Sequence, residues 1–177
     1  AKLVEELLKL GADPNKSRPD GKGPLFGAVR VAEEKIAQAL LKGGAKVDAP
    51  LSMDHNGIAV GGCTALYVAA AMGHLPSCKL LASSGASLEA ANDSGATPLT
   101  AAVEGDHDEV IDFFLKSGAN PKPEQLAVGD KAHHRLSALP PVYVAARKGN
   151  LAAVKKLLKA GANVNSADGN LWTPLKC

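Results

Sequence analysis

The chain has 177 residues, of which 46% are hydrophobic and 21% charged, and 20 basic side chains nearly balance 18 acidic ones for a net charge of +2. This is ordinary globular composition: it excludes wholesale disorder and supplies no global field for nucleic acid or an anionic membrane surface. Three Phe, two Tyr and one Trp stand against 31 Ala, a balance that suits closely packed helices and argues against a β-sandwich, whose strands favour branched and aromatic side chains.

The chain opens with Ala1-Lys-Leu-Val-Glu-Glu, which reads as a helix already under way rather than as a secretory signal. That helix ends in Leu7-Leu8 and is followed by Gly11-Ala12. Gly23-Pro-Leu then starts a unit that runs through Ala28-Val29 and Leu40-Leu41 to Gly44-Ala45. Thr64-Ala-Leu starts the next, with Ala69-Ala70, a Gly73-His74 turn, Leu80-Leu81 and Gly85-Ala86. The polar stretch from Ala90 to Gly95 suits a tight hairpin. Thr97-Pro-Leu opens the third unit, which passes Ala102-Val103 and Phe114-Leu115 to reach Gly118-Ala119. Pro140-Pro-Val opens the fourth, with Ala145-Ala146, Gly149-Asn150, Leu157-Leu158 and Gly161-Ala162. Thr173-Pro-Leu begins another. The longest apolar run, Ala65 to Met72, is far too short to span a membrane.

Two markers therefore keep one register. The Gly-Ala pairs recur at intervals of 33, 41, 33 and 43 residues, and the unit starts at 41, 33, 43 and 33. Such self-similarity is the signature of a repeat array. Each unit also makes physical sense. Thr before Pro opens a helix, the hydroxyl capping it and proline standing at N1, where no N–H is required. Small residues on the buried face let helices approach closely, and glycine after the second helix accepts the left-handed conformation. The long intervals leave eight and ten extra residues, placed in hairpins at Ala49–Cys63 and Pro123–Leu139. Repeat arrays carry such insertions on one face, often the binding face.

Thr97-Pro-Leu-Thr-Ala-Ala with Ile111-Asp-Phe-Phe-Leu-Lys-Ser-Gly-Ala-Asn resembles an ankyrin repeat, as do Tyr143-Val-Ala-Ala-Arg-Lys-Gly-Asn-Leu and Leu157-Leu-Lys-Ala-Gly-Ala-Asn-Val-Asn. A tetratricopeptide array lacks its Trp–Leu-Gly–Tyr spacing here and leaves the Thr-Pro-Leu starts unexplained. The resemblance covers nearly the whole chain, though the usual His after Thr-Pro-Leu is replaced by Phe26, Tyr67, Thr100 and Tyr143. It implies an all-α solenoid of stacked helix-turn-helix units with β-hairpin loops, two of them enlarged by insertions. The expected organisation is a single array over 1–177: a partial repeat at 1–22, full repeats at 23–63, 64–96, 97–139 and 140–172, and the start of another at 173–177. Leu171, Trp172 and Leu175 would meet a following repeat, so the chain is expected to be an excerpt of a longer array.

Nothing in the sequence carries the spacing of a nucleophile elbow, phosphate loop, EF-hand or HExxH site. No catalytic residue, metal, cofactor or small-molecule substrate is therefore expected. Gly61-Gly62 reads as a flexible point in an inserted hairpin. His133-His134, near Asp130, reads as a solvated loop, because a metal needs three or four converging ligands. His74 and His107 begin second helices and read as structural. Three cysteines (Cys63, Cys78, Cys177) without a CxxC pair favour a reducing compartment and a cytoplasmic location. Cys78 is expected in the core, and Cys63 as a half-buried turn residue.

The resemblance implies a non-catalytic protein–protein interaction module that binds on its concave groove and hairpin tips. A second reading is a regulator that inhibits or protects a partner enzyme by inserting a long hairpin into its active site. In designed binders of the family, contacts cluster at the end of the first helix and just before the Thr-Pro start. Carried over, the first group is Arg30-Val31, Ala71-Met72, Glu104-Gly105 and Arg147-Lys148; the second is Lys22, Cys63, Ala96, Leu139 and Trp172. Arg30, Tyr67, Met72, Glu104, Tyr143, Arg147, Lys148 and Trp172 are the expected partner-binding residues, both tyrosines able to project a ring toward the groove. Five acids lie between Glu104 and Asp112, and seven bases without an acid between Lys131 and Lys159. Stacking sets Asp112 against Lys155, which neutralises part of that charge. Arg147 and Lys148 are left to bias the C-terminal half of the groove toward an acidic partner, with no role for nucleic acid or membrane.

Overall fold

The computed structural model describes residues 1–18, 22–55, 58–122 and 139–165, and only the backbone of 51–55 and 58–60. Most of the second insertion, His133-His134, Trp172 and the last unit start lie outside the described residues. The elements in chain order are α1 (Lys2–Lys9), α2 (Pro24–Arg30), α3 (Glu34–Lys42), β1 (Leu51–His55), β2 (Ile58–Cys63), α4 (Ala65–Ala71), α5 (Leu75–Ser83), α6 (Pro98–Glu104), α7 (Asp108–Lys116), α8 (Pro141–Arg147) and α9 (Leu151–Lys159). Short helices of this kind are marginal alone and take their stability from packing. Here α2, α4, α6 and α8 stack as one layer, and α1, α3, α5, α7 and α9 as the other. The result is the all-α repeat solenoid that the periodicity implies.

Local chemistry sets the helix ends. The Tyr67 N–H donates to Thr64 Oγ1 at 3.3 Å and the Thr100 N–H to Thr97 Oγ1 at 3.3 Å, so each threonine caps its helix. Gly23 and Pro140 open α2 and α8 without a capping side chain; proline follows at Pro24 and Pro141. The five glycines of the Gly-Ala pairs hold φ between 88° and 94°, the left-handed turn that closes each second helix. Ala69, Ala70, Ala102, Val29 and Ala145 are fully buried, and one apolar core runs without a break from Leu25 to Ala162. At the N-terminal edge, Leu3 and Leu7 on α1 and Leu10 just after it remain exposed.

The array is also tied together by polar ladders. Along the hairpin edge, Asn15 accepts the Lys46 N–H at 2.7 Å, Asp48 accepts the Ser87 N–H at 3.0 Å, and Glu89 accepts the Asn120 N–H at 2.7 Å. Each bond links one unit to the next, satisfying a backbone donor that a turn would otherwise leave to water.

The first inserted segment forms the antiparallel pair β1–β2, with Leu51 opposite Cys63 and His55 opposite Ile58, and an irregularity between Leu51 and Met53. Its base is held by the next unit's hairpin, where the Asp93 N–H donates to the Gly61 carbonyl at 2.9 Å. A Cβ at Gly61 would lie 2.0 Å from Asp93 Oδ2, and Gly62 has φ +74°. The glycine pair thus permits a close approach of two hairpins, correcting its reading as a flexible point. Cys63 is likewise corrected: it is 1% exposed, packed with Phe26, Val68 and Tyr67. Asn92 Nδ2 points at its sulfur from 4.0 Å. Burial pushes the Cys63 thiol above its ordinary value, and that of Cys78, also in the core, up to about 12. Both stay protonated at neutral pH and are poor nucleophiles.

Candidate partner-binding groove

The first helices of the four units end side by side, and their last residues define the site. Arg30 ends α2, Glu104 ends α6 and Arg147 ends α8, all exposed; Met72 follows α4 and is 43% exposed. Tyr67, on α4, is half-buried, its ring resting on the cluster of Phe26, Cys63 and Val68. Tyr143 is the exception. It is 6% exposed and belongs to the continuous core, so its ring fills space between units rather than opening on the groove. The difference from Tyr67 is one of depth: Tyr143 is itself part of the main core, whereas Tyr67 packs at the margin of both that core and the small cluster at the hairpin base. Trp172 lies outside the described residues.

The turns behind these helix ends are braced from the following unit. A His74 ring N–H donates to the Val29 carbonyl at 3.2 Å, and a His107 ring N–H to the Ala71 carbonyl at 3.0 Å. Each ring thus binds a carbonyl in the last turn of a first helix, Ala71 being one of the carbonyls a helix end leaves over and Val29 one that also accepts the Ala32 N–H at 3.1 Å. The third such helix end is held differently: Lys148 Nζ donates to the Glu104 carbonyl and pairs with Asp106 at 2.5 Å. Asn150 Nδ2 adds a bond to Asp106 at 3.0 Å. Those two partners hold the Asp106 carboxyl below its usual range. Sequence reasoning passed over Asp106. Its signal was present, since it stands at the turn position occupied elsewhere by Gly73 and Gly149. Lys148 is therefore committed within the array, whereas Arg147 makes no ion pair among the described residues.

The neutralisation on the second-helix layer also differs in register from the expected one. Lys156, not Lys155, bridges Asp112 at 3.1 Å and Asp108 at 3.3 Å. Adjacent helical positions differ by about 100° around the axis, and Lys155 faces solvent.

The electrostatics single out Glu104. Partial desolvation in the groove holds its carboxyl above the usual carboxylate range, although Arg147 and Lys148 pull it back. Burial, and then the Glu104 charge, raise the Tyr67 phenol far above its ordinary value, so it stays a neutral donor. Tyr67, Glu104, Arg147 and Lys148 thus share one electrostatic neighbourhood across three units, and Arg30 lies apart on α2. Among the described residues, no group of three or more His, Cys, Asp or Glu could hold a metal ion, and no helix is long and apolar enough to cross a membrane.

A row of helix ends carried on stacked helix pairs defines the class as a helical repeat protein. Family models described as "Ankyrin repeats (3 copies)" match residues 1–92 and 51–125, and one described as "Ankyrin repeat" matches 139–169. The chain belongs to the ankyrin repeat family, whose repeats are general protein–protein interaction modules and typically non-catalytic. The matches pause between 125 and 139, inside the segment assigned to the second insertion. The chain is 29% identical over 168 residues to an ankyrin repeat domain-containing protein, SAT10, of the fungus Stachybotrys chartarum, covering 94% of this chain and 8% of that protein. It is 37% identical over 81 residues to the protein fem-1 homolog CG6966 of Drosophila melanogaster, covering 45% of this chain and 12% of that one. The chain thus spans a small fraction of the length of these relatives.

Proposed function

We propose that this array is a non-catalytic module that recognises a protein partner in the groove formed by the first-helix ends Arg30-Val31, Ala71-Met72, Glu104 and Arg147, working in the cytoplasm. The observation that carries the reading is the row of exposed side chains on a rigid, internally braced layer. Of its charged groups, the Arg147 guanidinium and the Glu104 carboxylate make no ion pair among the described residues. Rigid placement of contact residues lowers the ordering cost of binding. The preference for an acidic contact at the C-terminal half rests on Arg147 alone, Lys148 being held by Asp106. Cross-linking of the immobilised chain to proteins of its source cells, with the cross-links mapped by mass spectrometry, tests the groove. Cross-links concentrated on the first-helix ends support it, and cross-links confined to α3, α5, α7 and α9 overturn it. Arg147→Glu is expected to weaken the captured complex by about 1–3 kcal/mol, most at low salt.

The second reading, a regulator that plugs an enzyme, is favoured by the ordered pair β1–β2 and its fixed base at Asn92-Asp93. A plug requires such a mount. Shortening Ala49–Cys63 to the length of the uninserted hairpins would abolish inhibition of a captured enzyme while leaving residual binding; equal loss of both would argue for the simpler module.

A further inference from the structure

The exposed helix ends change chemistry along the array. Val31, which closes α2, is 59% exposed, and Met72, at the same position after α4, is 43% exposed. A single exposed apolar side chain is commonplace, but here two occupy equivalent positions of adjacent units. Arg30 flanks Val31, where its methylene stem can extend the apolar strip while the guanidinium stays in water. Further along, the chemistry turns ionic. The Glu104 carboxylate and the Arg147 guanidinium, on successive units, carry neither ion pair nor hydrogen bond among the described residues. Lys148, adjacent to Arg147, is occupied by Asp106 and the Glu104 carbonyl. Asp106 is in turn shared with Asn150, so the turn behind the groove is internally balanced.

We propose, resting on the groove reading above, that the partner offers a linear segment read one contact per unit: an apolar side chain at Val31, a second at Met72, a basic one at Glu104 and an acidic one at Arg147. Packed helices lie about 8–10 Å apart, so successive contacts fall at about every third residue of an extended chain. The whole pattern fits within about ten residues. A basic side chain at Glu104 supplies a direct ion pair, where Arg147 and Lys148 act on that carboxylate only from a distance, and it lies near the neutral Tyr67 ring, where a cation is also attracted by the aromatic face. The acidic side chain at Arg147 forms a bidentate pair that Lys148 is not free to make.

Display selection of random twelve-residue peptides against the immobilised 177-residue chain tests this, with Met72→Asp, Glu104→Lys and Arg147→Glu as groove variants and Lys35→Glu on the exposed side of α3 as control. All four sites are exposed, and circular dichroism verifies folding. The expected peptides carry two apolar residues about three apart, then a base and an acid at similar spacing, in either chain direction. Met72→Asp should weaken their binding at least tenfold, and Glu104→Lys and Arg147→Glu should each exchange the sign selected at their own position. Peptides that bind the groove, losing affinity with Met72→Asp, but lack the pattern overturn this inference and leave the groove reading intact. Peptides indifferent to the groove variants and sensitive to Lys35→Glu overturn the groove reading as well. Recovery of no peptide from the folded chain also overturns the inference, since a linear segment is what it requires.

Discussion

Ala32 and Asp106 hold φ values of 54° and 56° at the interhelical turn, where Gly73 and Gly149 hold 72°. A residue with a Cβ in that region is strained by roughly 1–2 kcal/mol. Ala32 has no hydrogen-bonding side chain to offset the strain, so Ala32→Gly is expected to raise stability. Glycine's greater unfolded-state freedom takes back part of the gain, and about 0.5–1 kcal/mol should remain, readable as a higher urea midpoint at unchanged slope. The same exchange at Asp106 gives up the carboxylate that holds Lys148 and Asn150 and is expected to gain nothing. Glu104 is strained electrically instead. Folding raises its pKa, so the folded chain binds that proton more tightly than the unfolded one. Stability falls as pH rises from the unfolded to the folded value, and the deficit persists above it. Its place at the C-terminus of α6 adds to the deficit, because the helix dipole is negative there. Glu104→Gln should therefore be more stable than the parent at pH 7, and the difference should vanish below about pH 4, where the acid is neutral in both states. Denaturant titrations at both pH values check this; a less stable Gln variant at pH 7 would contradict the assigned environment. A site that costs the free chain stability is what a binding function predicts.

Helices and turns were legible where their chemistry is local. Thr64 and Thr97 cap as read, and the Gly-Ala register marks the left-handed closures at Gly11, Gly44, Gly85, Gly118 and Gly161. What the sequence concealed depends on contacts between units. Cys63 is buried because Val68 and Asn92 of the following unit meet it together with Phe26 of its own, and Tyr143 because its ring is part of the core that runs between units. The choice of Lys156 over Lys155 is a rotation about a helix axis that only packing settles. The inserted hairpin belongs to the same group: its length was readable, but not its docking. Its two glycines should differ in tolerance. Alanine at Gly61 meets the far end of the Asp93 side chain, which can swing into water. Alanine at Gly62 meets the Asp93 backbone nitrogen at 3.0 Å and is held at φ +74°. Gly62→Ala is therefore expected to lose about 1–2 kcal/mol or more, and Gly61→Ala much less, a loss that Asp93→Ala should erase. Equal losses from both glycines, unrelieved by Asp93→Ala, would show that the hairpin base is not anchored as described.

At the scale of the whole array, stability is a sum of unit and nearest-neighbour terms, so the junctions set where it opens. The apolar core crosses every junction, but the one between α6–α7 and α8–α9 carries an added ionic layer: Lys148–Asp106 at the groove turn and Lys156 on Asp108 and Asp112. Asp106 and Lys156 keep their charges across the neutral range. Asp106, its pKa lowered, contributes above the unfolded carboxylate value, and the contribution is lost as pH falls through the folded one. Lys156, its pKa raised, contributes below the unfolded lysine value and loses the effect as pH rises through the folded one. Partly exposed pairs are each worth about 0.2–1 kcal/mol, so the three contacts together are worth about 1–2 kcal/mol. Removing that much from one junction favours opening of the α8–α9 pair by about tenfold, 1.4 kcal/mol being a factor of ten in an equilibrium constant. Two perturbations should produce the same signature. In 1 M salt the screening length shrinks to about 3 Å, and in a Lys148→Ala, Lys156→Ala chain the pairs are absent. In both, amide hydrogen exchange should quicken in α8 and α9 and stay unchanged in α4 and α5, whose junctions carry no such layer among the described residues. The double variant should also lose most of its sensitivity to salt. Exchange that rises evenly along all helices would mean that the array opens as one unit and that the ionic layer is not what couples α8–α9 to it.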